Sequence, residues 1–172
     1  MHHDRKSSRL PEYDYSSPGA YLVTICLFPK SKLLGEVSPD GVMKLNRYGK
    51  IVEEEWLRTA ELRTNVELDE FVIMPDHFHG LVVLRLGTVH RAPTPESFSI
   101  PTSSSLPTMI RYFKAAVTRR IRELSGNQEE NIWQRSYHEH VIRKNENINA
   151  AREYILNNPL RWSLHKKNSS YQ

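Results

Sequence analysis

The sequence holds a single cysteine, Cys26, among its 172 residues, so no internal disulfide can form. It has no run of about 18 apolar residues, so a membrane-spanning helix is not expected. Residues 1–10 also lack the apolar stretch of a secretory signal. These absences exclude the disulfide-stapled secreted scaffolds and suit a folded protein of the reducing cytoplasm.

The charged residues lean towards the positive sign. There are 24 Lys and Arg against 20 Asp and Glu, which gives a net charge of +4, and the pI is about 9.2. Such a balance is compatible with a nucleic-acid partner, although many basic proteins bind none. The length suits one ordinary domain, and we treat residues 1–172 as a single unit.

Apolar patterning along the chain alternates between strand-like and helix-like segments. Strands are predicted at 20–28, 66–74, 77–86 and 131–143, helices at 47–61, 106–125 and 146–157, and a hairpin around 39–41. This order contains the βαββαβ series of the split βαβ sandwich. It predicts an α+β, ferredoxin-like antiparallel sheet with helices on one face, plus a C-terminal helix that carries a tyrosine.

Two polar segments and one helix end complete this division of the chain. Residues 1–19 are predicted to form an extended polar arm, in which Tyr13 and Tyr15 are isolated aromatics. Residues 87–105 are rich in Pro, Ser and Thr and are predicted to be a long loop, either functional or a slack insertion. The last helix is expected to end before Pro159, because proline disfavours helical backbone at the residue before it.

A His-x-His pair begins the third predicted strand. Side chains alternate faces along a strand, so His77 and His79 share one face while Phe78 points into the core. Two imidazoles can bind one divalent cation and leave positions open for water or a phosphate oxygen. By itself the pattern is more often two surface histidines. A second pair, His138 and His140, has an acidic residue between its members, which suits an edge strand better than a metal site.

The last predicted helix offers a nucleophile. Tyr154 and Asn158 are four residues apart, which places them on one helix face. A phenol can attack phosphorus, and an amide oxygen can act as a third metal ligand. Periodicity alone favours a packing role for Tyr154 and a capping role for Asn158. Tyr112 and Tyr137 are rival nucleophiles, but neither is followed by asparagine four residues later.

Positive side chains concentrate on helix 106–125 and on the segments that follow it. Such a surface is usually only solvated, but next to a phosphate-cleaving site it is a candidate track for a DNA backbone. Trp133, Tyr137 and Trp162 could stack on unpaired bases or serve the core. The candidate DNA-binding residues are Arg111, Lys114, Arg119, Arg120, Arg122, Arg135, Arg143 and Arg152.

Three segments resemble, in order and spacing, the signature blocks of the single-tyrosine HUH transposases: MPDHFHGLVVL, WQRSYHEHVIR and REYILNNPLRW. HUH stands for histidine, bulky hydrophobe, histidine. Within that group the chain is most similar to the REP-associated tyrosine transposases. The opening YDYSSPGAYLVTICLF is similar to the first strand of that group, so the resemblance covers residues 11–162.

The resemblance implies roles for individual residues. His77, His79 and Asn158 match the ligands of Mg²⁺ or Mn²⁺, and Tyr154 matches the nucleophile. It also implies nicking and strand transfer on single-stranded DNA beside hairpins, through a 5′-phosphotyrosine and a free 3′-hydroxyl. A homodimer associated with the bacterial nucleoid in the cytoplasm is expected. Two alternatives stay open: a non-catalytic nucleic-acid-binding module on the same fold, and a metal-dependent phosphohydrolase that uses water.

Overall fold

A computed structural model of the protein describes residues 13–28, 31–85, 105–143 and 146–169. Its strands are β1 (Gly19–Cys26), β2 (Gly35–Val37), β3 (Met43–Leu45), β4 (Val66–Ile73), β5 (His77–Leu84) and β6 (His138–Ile142). Its helices are α1 (Arg47–Glu61), α2 (Leu106–Ser125), α3 (Ile148–Leu156) and α4 (Asn158–Ser169). None of the helices in this described part is long and apolar enough to cross a bilayer. The loop predicted at 87–105 lies outside the described residues, except for Ser105.

Within the described residues, the main sheet has the strand order β4-β5-β1-β6, and β2 and β3 pair separately. Each neighbouring pair in the main sheet is antiparallel. β1 and β4 therefore run parallel with β5 between them, which is the split βαβ arrangement. The predicted α+β, ferredoxin-like fold is confirmed. Because β5 has a neighbour on both sides, two ladders hold it in register.

Alternate residues of the sheet face different layers. On one face, Val23 and Ile25 of β1 and Phe78 of β5 are fully buried in the main core, together with residues of α1 and α2. On the other face, Leu81 of β5 packs in a smaller cluster with Ala151 of α3. The sheet therefore separates α1 and α2 from α3.

Helices α1 and α2 have the bounds predicted from the sequence. The Asn46 side chain caps α1 by accepting two backbone N–H bonds, at 2.9 and 3.0 Å. Gly126 ends α2 with a left-handed φ of 74°. Trp56 of α1 is fully buried, with its ring centroid 4.5 Å from that of Phe78 and 5.2 Å from that of Phe113. This contact joins α1, α2 and β5.

The expectation that Tyr13 and Tyr15 are isolated aromatics is wrong. Tyr15 is buried in the main core, with its ring centroid 5.0 Å from that of Tyr13 and 6.3 Å from that of Tyr21. Its carbonyl accepts a hydrogen bond of 3.1 Å from the backbone N–H of Leu106, at the start of α2. Burial of large aromatic rings stabilises this position. Residues 1–12 of the predicted arm lie outside the described residues.

The last strand starts later than the predicted range 131–143. Residues 131–137 do not form a regular strand. Within them, Trp133 forms an isolated antiparallel bridge to Leu27, just after β1. The carbonyls of Gln134 and Arg135 accept hydrogen bonds from Nζ of Lys114, at 2.6 and 3.2 Å. These bonds attach the segment before β6 to α2, and the regular strand forms only further along the chain.

The helix predicted at 146–157 is present as α3 and ends before Pro159, but the expectation that it is the last helix is wrong. α3 ends at Leu156, and α4 begins at Asn158 with Pro159 as its second residue. Proline is tolerated in the first turn of a helix, because the N–H that it lacks would have no partner within the helix there. The chain therefore turns from α3 into a further helix instead of leaving the fold.

Gly80 lets β5 approach α1 closely. A Cβ at this position would lie 2.5 Å from Cζ2 of Trp56 and 2.8 Å from the ring of Phe78, and both rings are fully buried. We expect Gly80→Ala to lower the free energy of unfolding by about 1–3 kcal/mol through overpacking, as measured by urea denaturation. Gly19→Ala on β1 is the control, because its nearest neighbour would be 3.7 Å away. Equal losses in the two variants would contradict this account.

Candidate metal and tyrosine site

His77 and His79 lie on one face of β5, as predicted, while Phe78 between them is fully buried on the other face. Their ring centroids are 4.7 Å apart. His79 is only 4% exposed, and the His77 side chain is 17% exposed. The two imidazoles therefore form a partly enclosed pair in which His77 is the more open member.

Each imidazole is held through Nδ1 by a different neighbour. Nδ1 of His77 lies 2.5 Å from Oδ1 of Asp76, in the turn between β4 and β5. Nδ1 of His79 lies 2.8 Å from Oγ1 of Thr24, its cross-strand partner on β1. Contacts of this kind set the orientation and tautomer of a metal-binding histidine. With Nδ1 occupied on both rings, Nε2 is the nitrogen that each can offer to a cation.

Burial sets the charge of His79. Loss of hydration, together with a smaller effect of the nearby His77, lowers the pKa of its imidazole from 6.5 to about 4. At neutral pH the ring is therefore uncharged, which is the form that coordinates metals.

Tyr154 meets this pair within one chain. Its ring centroid lies 5.2 Å from that of His79 in an edge-on arrangement, and the residue is 38% exposed. Two residues of α4 complete the surroundings. The guanidinium carbon of Arg161 is 5.7 Å from the Tyr154 ring centroid, and the Trp162 ring is 5.9 Å from that of His77. A phenol, a cation and an aromatic surface thus converge on the histidines.

An ion pair holds α3 against the sheet. The Arg152 guanidinium donates to both carboxylate oxygens of Asp69 on β4, with Nη2 to Oδ2 at 2.6 Å and Nε to Oδ1 at 2.9 Å. Its Nη1 donates to Asn149 at 2.7 Å. Asp69 sits where the ladder between β4 and β5 shifts register. The other support is the small apolar cluster that includes Ile155. Together they place Tyr154 over β5.

Asn158 is not on the same helix as Tyr154, because α3 ends before it. Asn158 opens α4 and is half-buried, and its role as a metal ligand stays a prediction. Among the described residues, no three His, Cys, Asp or Glu side chains form a group that could hold an ion. The pair of His77 and His79 fits a cation that takes two nitrogen ligands and completes its shell with oxygen.

The second histidine pair lies on the edge strand β6, as its pattern indicated. His138 is across from Thr24 in the register, and His140 bonds Glu146 at 2.7 Å. These contacts place the pair away from His77 and His79, beyond β1. Of the rival tyrosines, Tyr112 is exposed on α2 and Tyr137 is buried.

The predicted DNA-binding residues do not converge on the tyrosine site. Arg120 pairs with Glu54 and Glu55 of α1, at 2.6 and 2.9 Å, and thereby joins the two helices. Structural contacts also engage Lys114, Arg122 and Arg152. The positions left more open to solvent are Arg111, Arg119, Arg135 and Arg143. Contact of any of the eight with DNA stays a prediction.

Sequence reasoning missed Asp76 and Thr24. Asp76 directly precedes His77, so a carboxylate next to a candidate ligand was a usable signal. Thr24 gives no such signal, because its contact with His79 depends on the register between β1 and β5. Arg161 is one of several positive charges in the last part of the chain, and nothing local marks it as a neighbour of Tyr154.

Comparison with known proteins places the chain in a family. A protein of Haemophilus influenzae, described as uncharacterized, is 36% identical over 166 residues, which are 93% of this chain and 91% of that protein. The chain belongs to the family of that protein. No family model matches the chain.

The fold is shared with a solved structure of a REP-associated tyrosine transposase bound to a REP hairpin. The TM-score is 0.57 with 21% identity, and the match covers 88% of this chain and 74% of that chain. At this level of identity the likeness shows the fold. The fold expected from the resemblance is therefore confirmed, and the residue roles stay predictions.

The titration of His79 has a measurable effect on stability. Its folded pKa of about 4 lies below the ordinary 6.5, so the unfolded chain gains a proton first as the pH falls. The stability present above about pH 6.5 is then lost towards about pH 4. We therefore expect the melting temperature of the wild type to approach that of His79→Gln as the pH falls from about 6.5 to about 4. A difference that stays constant with pH would contradict the buried neutral imidazole.

Loss of the Asp69 carboxylate should loosen α3. Arg152 lowers the pKa of Asp69, so the pair stabilises the fold above the ordinary aspartate pKa, and this contribution fades as the pH falls through the lowered value. We expect Asp69→Asn and Arg152→Gln each to speed hydrogen exchange in α3, and the double variant to add little. The control is Glu67→Gln on β4, the strand that also carries Asp69. This substitution breaks the exposed ion pair between Glu67 and Arg85. Fully additive effects would show that the two residues act independently.

Proposed function

We propose that the protein nicks single-stranded DNA and transfers the strand, with Tyr154 as the nucleophile. The observation that carries this proposal is the contact between the Tyr154 ring and His79, 5.2 Å apart between centroids and within one chain. The fold shared with a REP-associated tyrosine transposase, whose solved structure holds a REP hairpin, supports it. The Tyr154 ring and both imidazoles lie near one another within one chain, which would let the site act without a second copy, although the resemblance implies a homodimer.

The metal expected here is Mg²⁺ or Mn²⁺, held by His77 and His79 with Asn158 as the predicted third ligand; when bound, it supplies Lewis-acid polarisation of a phosphate. Asp76 and Thr24 orient the two imidazoles through Nδ1. Imidazoles that are held in fixed orientations reduce the reorganisation that metal binding would otherwise require.

The covalent step follows from the groups around Tyr154. Its phenolic oxygen attacks phosphorus, and the bond from phosphorus to the 3′-oxygen breaks. The phenol proton passes to solvent, and the departing 3′-oxygen takes up a proton to become a hydroxyl. Arg161, beside the phenol ring, offers positive charge where negative charge develops.

The product of this step is a 5′-phosphotyrosine, which retains a phosphodiester bond. A second 3′-hydroxyl can reverse the attack and rejoin strands without ATP. Duplex DNA would be a poor substrate, because the strand must be presented to the phenol free of its partner. The substrate expected is therefore single-stranded DNA next to a hairpin.

The nucleophile can be tested with a labelled single-stranded oligonucleotide that carries a flanking hairpin. We expect the wild type to form a covalent adduct with Mg²⁺ or Mn²⁺, visible on a denaturing gel and absent in EDTA. Tyr154→Phe should lose the adduct by a factor of at least about 10³, since no oxygen is left to attack, and should keep DNA binding.

Tyr48→Phe on α1 is the matched control, because it removes a hydroxyl that bonds only Arg47 among the described residues. Peptide mapping should find the DNA on the peptide that contains Tyr154 and not on those with Tyr112 or Tyr137. Cleavage without any adduct would instead support a phosphohydrolase. Metal-independent binding without cleavage would support a non-catalytic module.

A further inference from the structure

A cationic groove lies along α2, on the opposite side of the sheet from the tyrosine site. It has a volume of about 510 Å³, is open to solvent, and is lined by α2 and by the chain between Gln128 and Arg135. Four of its lining residues are cations, Lys114, Arg119, Arg122 and Arg135, against a single acid, Glu123. Unlike a solvated helix face, this surface is concave and concentrates charge of one sign.

The cations divide into two that shape the groove and two that face solvent. Nζ of Lys114 is held by the carbonyls of Gln134 and Arg135, and Nε of Arg122 donates to the carbonyl of Glu130 at 3.0 Å. These bonds attach the segment between Gln128 and Arg135, which lines the groove opposite α2, to that helix. The Arg119 guanidinium is 4.0 Å from Glu123, with both side chains about two-thirds exposed. Such a pair is weak in water.

Arg135 is the more available of the two exposed cations. Its side chain is exposed and forms no ion pair or hydrogen bond with any residue that the structure describes. The side-chain amides of Gln128, Asn131 and Gln134 line the same groove. Free guanidinium groups next to amides are the side chains that most often contact phosphate oxygens.

The groove continues into a second concavity between α1 and α2, since Ala115 and Arg119 line both. There the Tyr112 ring is 57% exposed. The guanidinium carbon of Arg63 is 5.7 Å from its centroid, and that of Arg111 is 5.4 Å away. An exposed aromatic ring beside two cations is a platform on which an unpaired base can stack.

We infer that the surface from Tyr112 to Arg135 along α2, called here the α2 groove, is a second nucleic-acid-binding site. Its occupant is single-stranded nucleic acid, with phosphates at Arg119 and Arg135 and a base on Tyr112. The ten residue-to-residue steps from Tyr112 to Arg122 span about 15 Å of helix, which is about four nucleotides at the B-form spacing of one strand. An acidic protein segment would use the same cations but gains nothing comparable from the stacking ring.

The inference deepens the proposed function, because a strand-transfer enzyme must hold DNA beyond the reacting phosphate. It does not depend on the chemistry at Tyr154, since the α2 groove lies on the other side of the sheet. Binding can therefore be measured in EDTA with the full-length protein and with Tyr154→Phe. If cleavage fails while this binding persists, the proposed function fails and the α2 groove stands.

The first test compares two double variants that lose the same charge. Arg119→Gln/Arg135→Gln removes the exposed cations of the α2 groove, and Lys32→Gln/Lys44→Gln removes exposed cations near the β2–β3 hairpin. The probe is a fluorescein-labelled oligothymidylate of about 20 nucleotides, followed by anisotropy at several salt concentrations. We expect the groove variant to bind at least about tenfold more weakly than the wild type. The slope of log binding constant against log salt concentration should also become less steep by about 1.4, or about 0.7 for each lost phosphate contact.

Equal weakening in both double variants would show a general charge effect and overturn the inference. Unchanged binding in the groove variant would overturn it as well. Circular dichroism and melting temperature should be the same in the wild type and both double variants, because none of the substituted side chains is buried.

The second test concerns the aromatic ring. Tyr112→Ala should weaken binding of the oligothymidylate by at least about fivefold, as the loss of one stacked base predicts, while Tyr112→Phe should bind like the wild type. Poly-glutamate is the competing ligand. If it displaces the oligonucleotide at equal charge concentration and its own binding also falls in Tyr112→Ala, the surface is a site for an acidic protein and the inference is wrong.

Discussion

The register between β1 and β5 is the constraint on which the candidate site depends. It places Thr24 opposite His79 and Cys26 opposite His77. Side chains alternate with a period of two, so a slip by one residue would turn both histidines into the core and expose Phe78. The register is held from the other side of the sheet, where Phe78 packs on Trp56 and Phe113. The apolar core thus orients the polar site.

The two halves of the site come from distant parts of the chain. β5 supplies the histidines, and α3 brings Tyr154 from near the C-terminal end. α3 has only nine residues, which is too short for a stable isolated helix in water. Its position depends on what it contacts: the Asp69 carboxylate through Arg152, and the cluster around Leu81. These contacts decide whether the phenol lies next to the imidazoles.

Local patterns were sufficient for most of the secondary structure. Apolar patterning predicted the bounds of α1 and α2, and the residues that cap them, Asn46 and Gly126, directly adjoin these segments in the sequence. The placement of His77 and His79 on one face followed from strand geometry alone. These features depend on neighbours within a few residues, which a single sequence displays directly.

The features that the sequence did not reveal depend on contacts between distant residues. Arg152 meets Asp69 across 83 positions, and Arg120 meets Glu55 across 65, so both were counted as free positive charges. Tyr15 was expected in a solvated arm, because its partner Tyr21 belongs to the next element. Pro159 was interpreted as a stop signal, although the same residue can begin a helix.

The attachment of both imidazoles through Nδ1 bears on when the protein can act. Asp76 adjoins His77 in sequence, but Thr24 reaches His79 only after a hairpin, a helix and another strand have intervened, a separation of 55 residues. A chain in which β1 and β5 have not paired lacks an oriented His79, and one in which α3 has not docked lacks a positioned Tyr154. Under the proposed activity, a molecule could therefore react only after both of these contacts have formed.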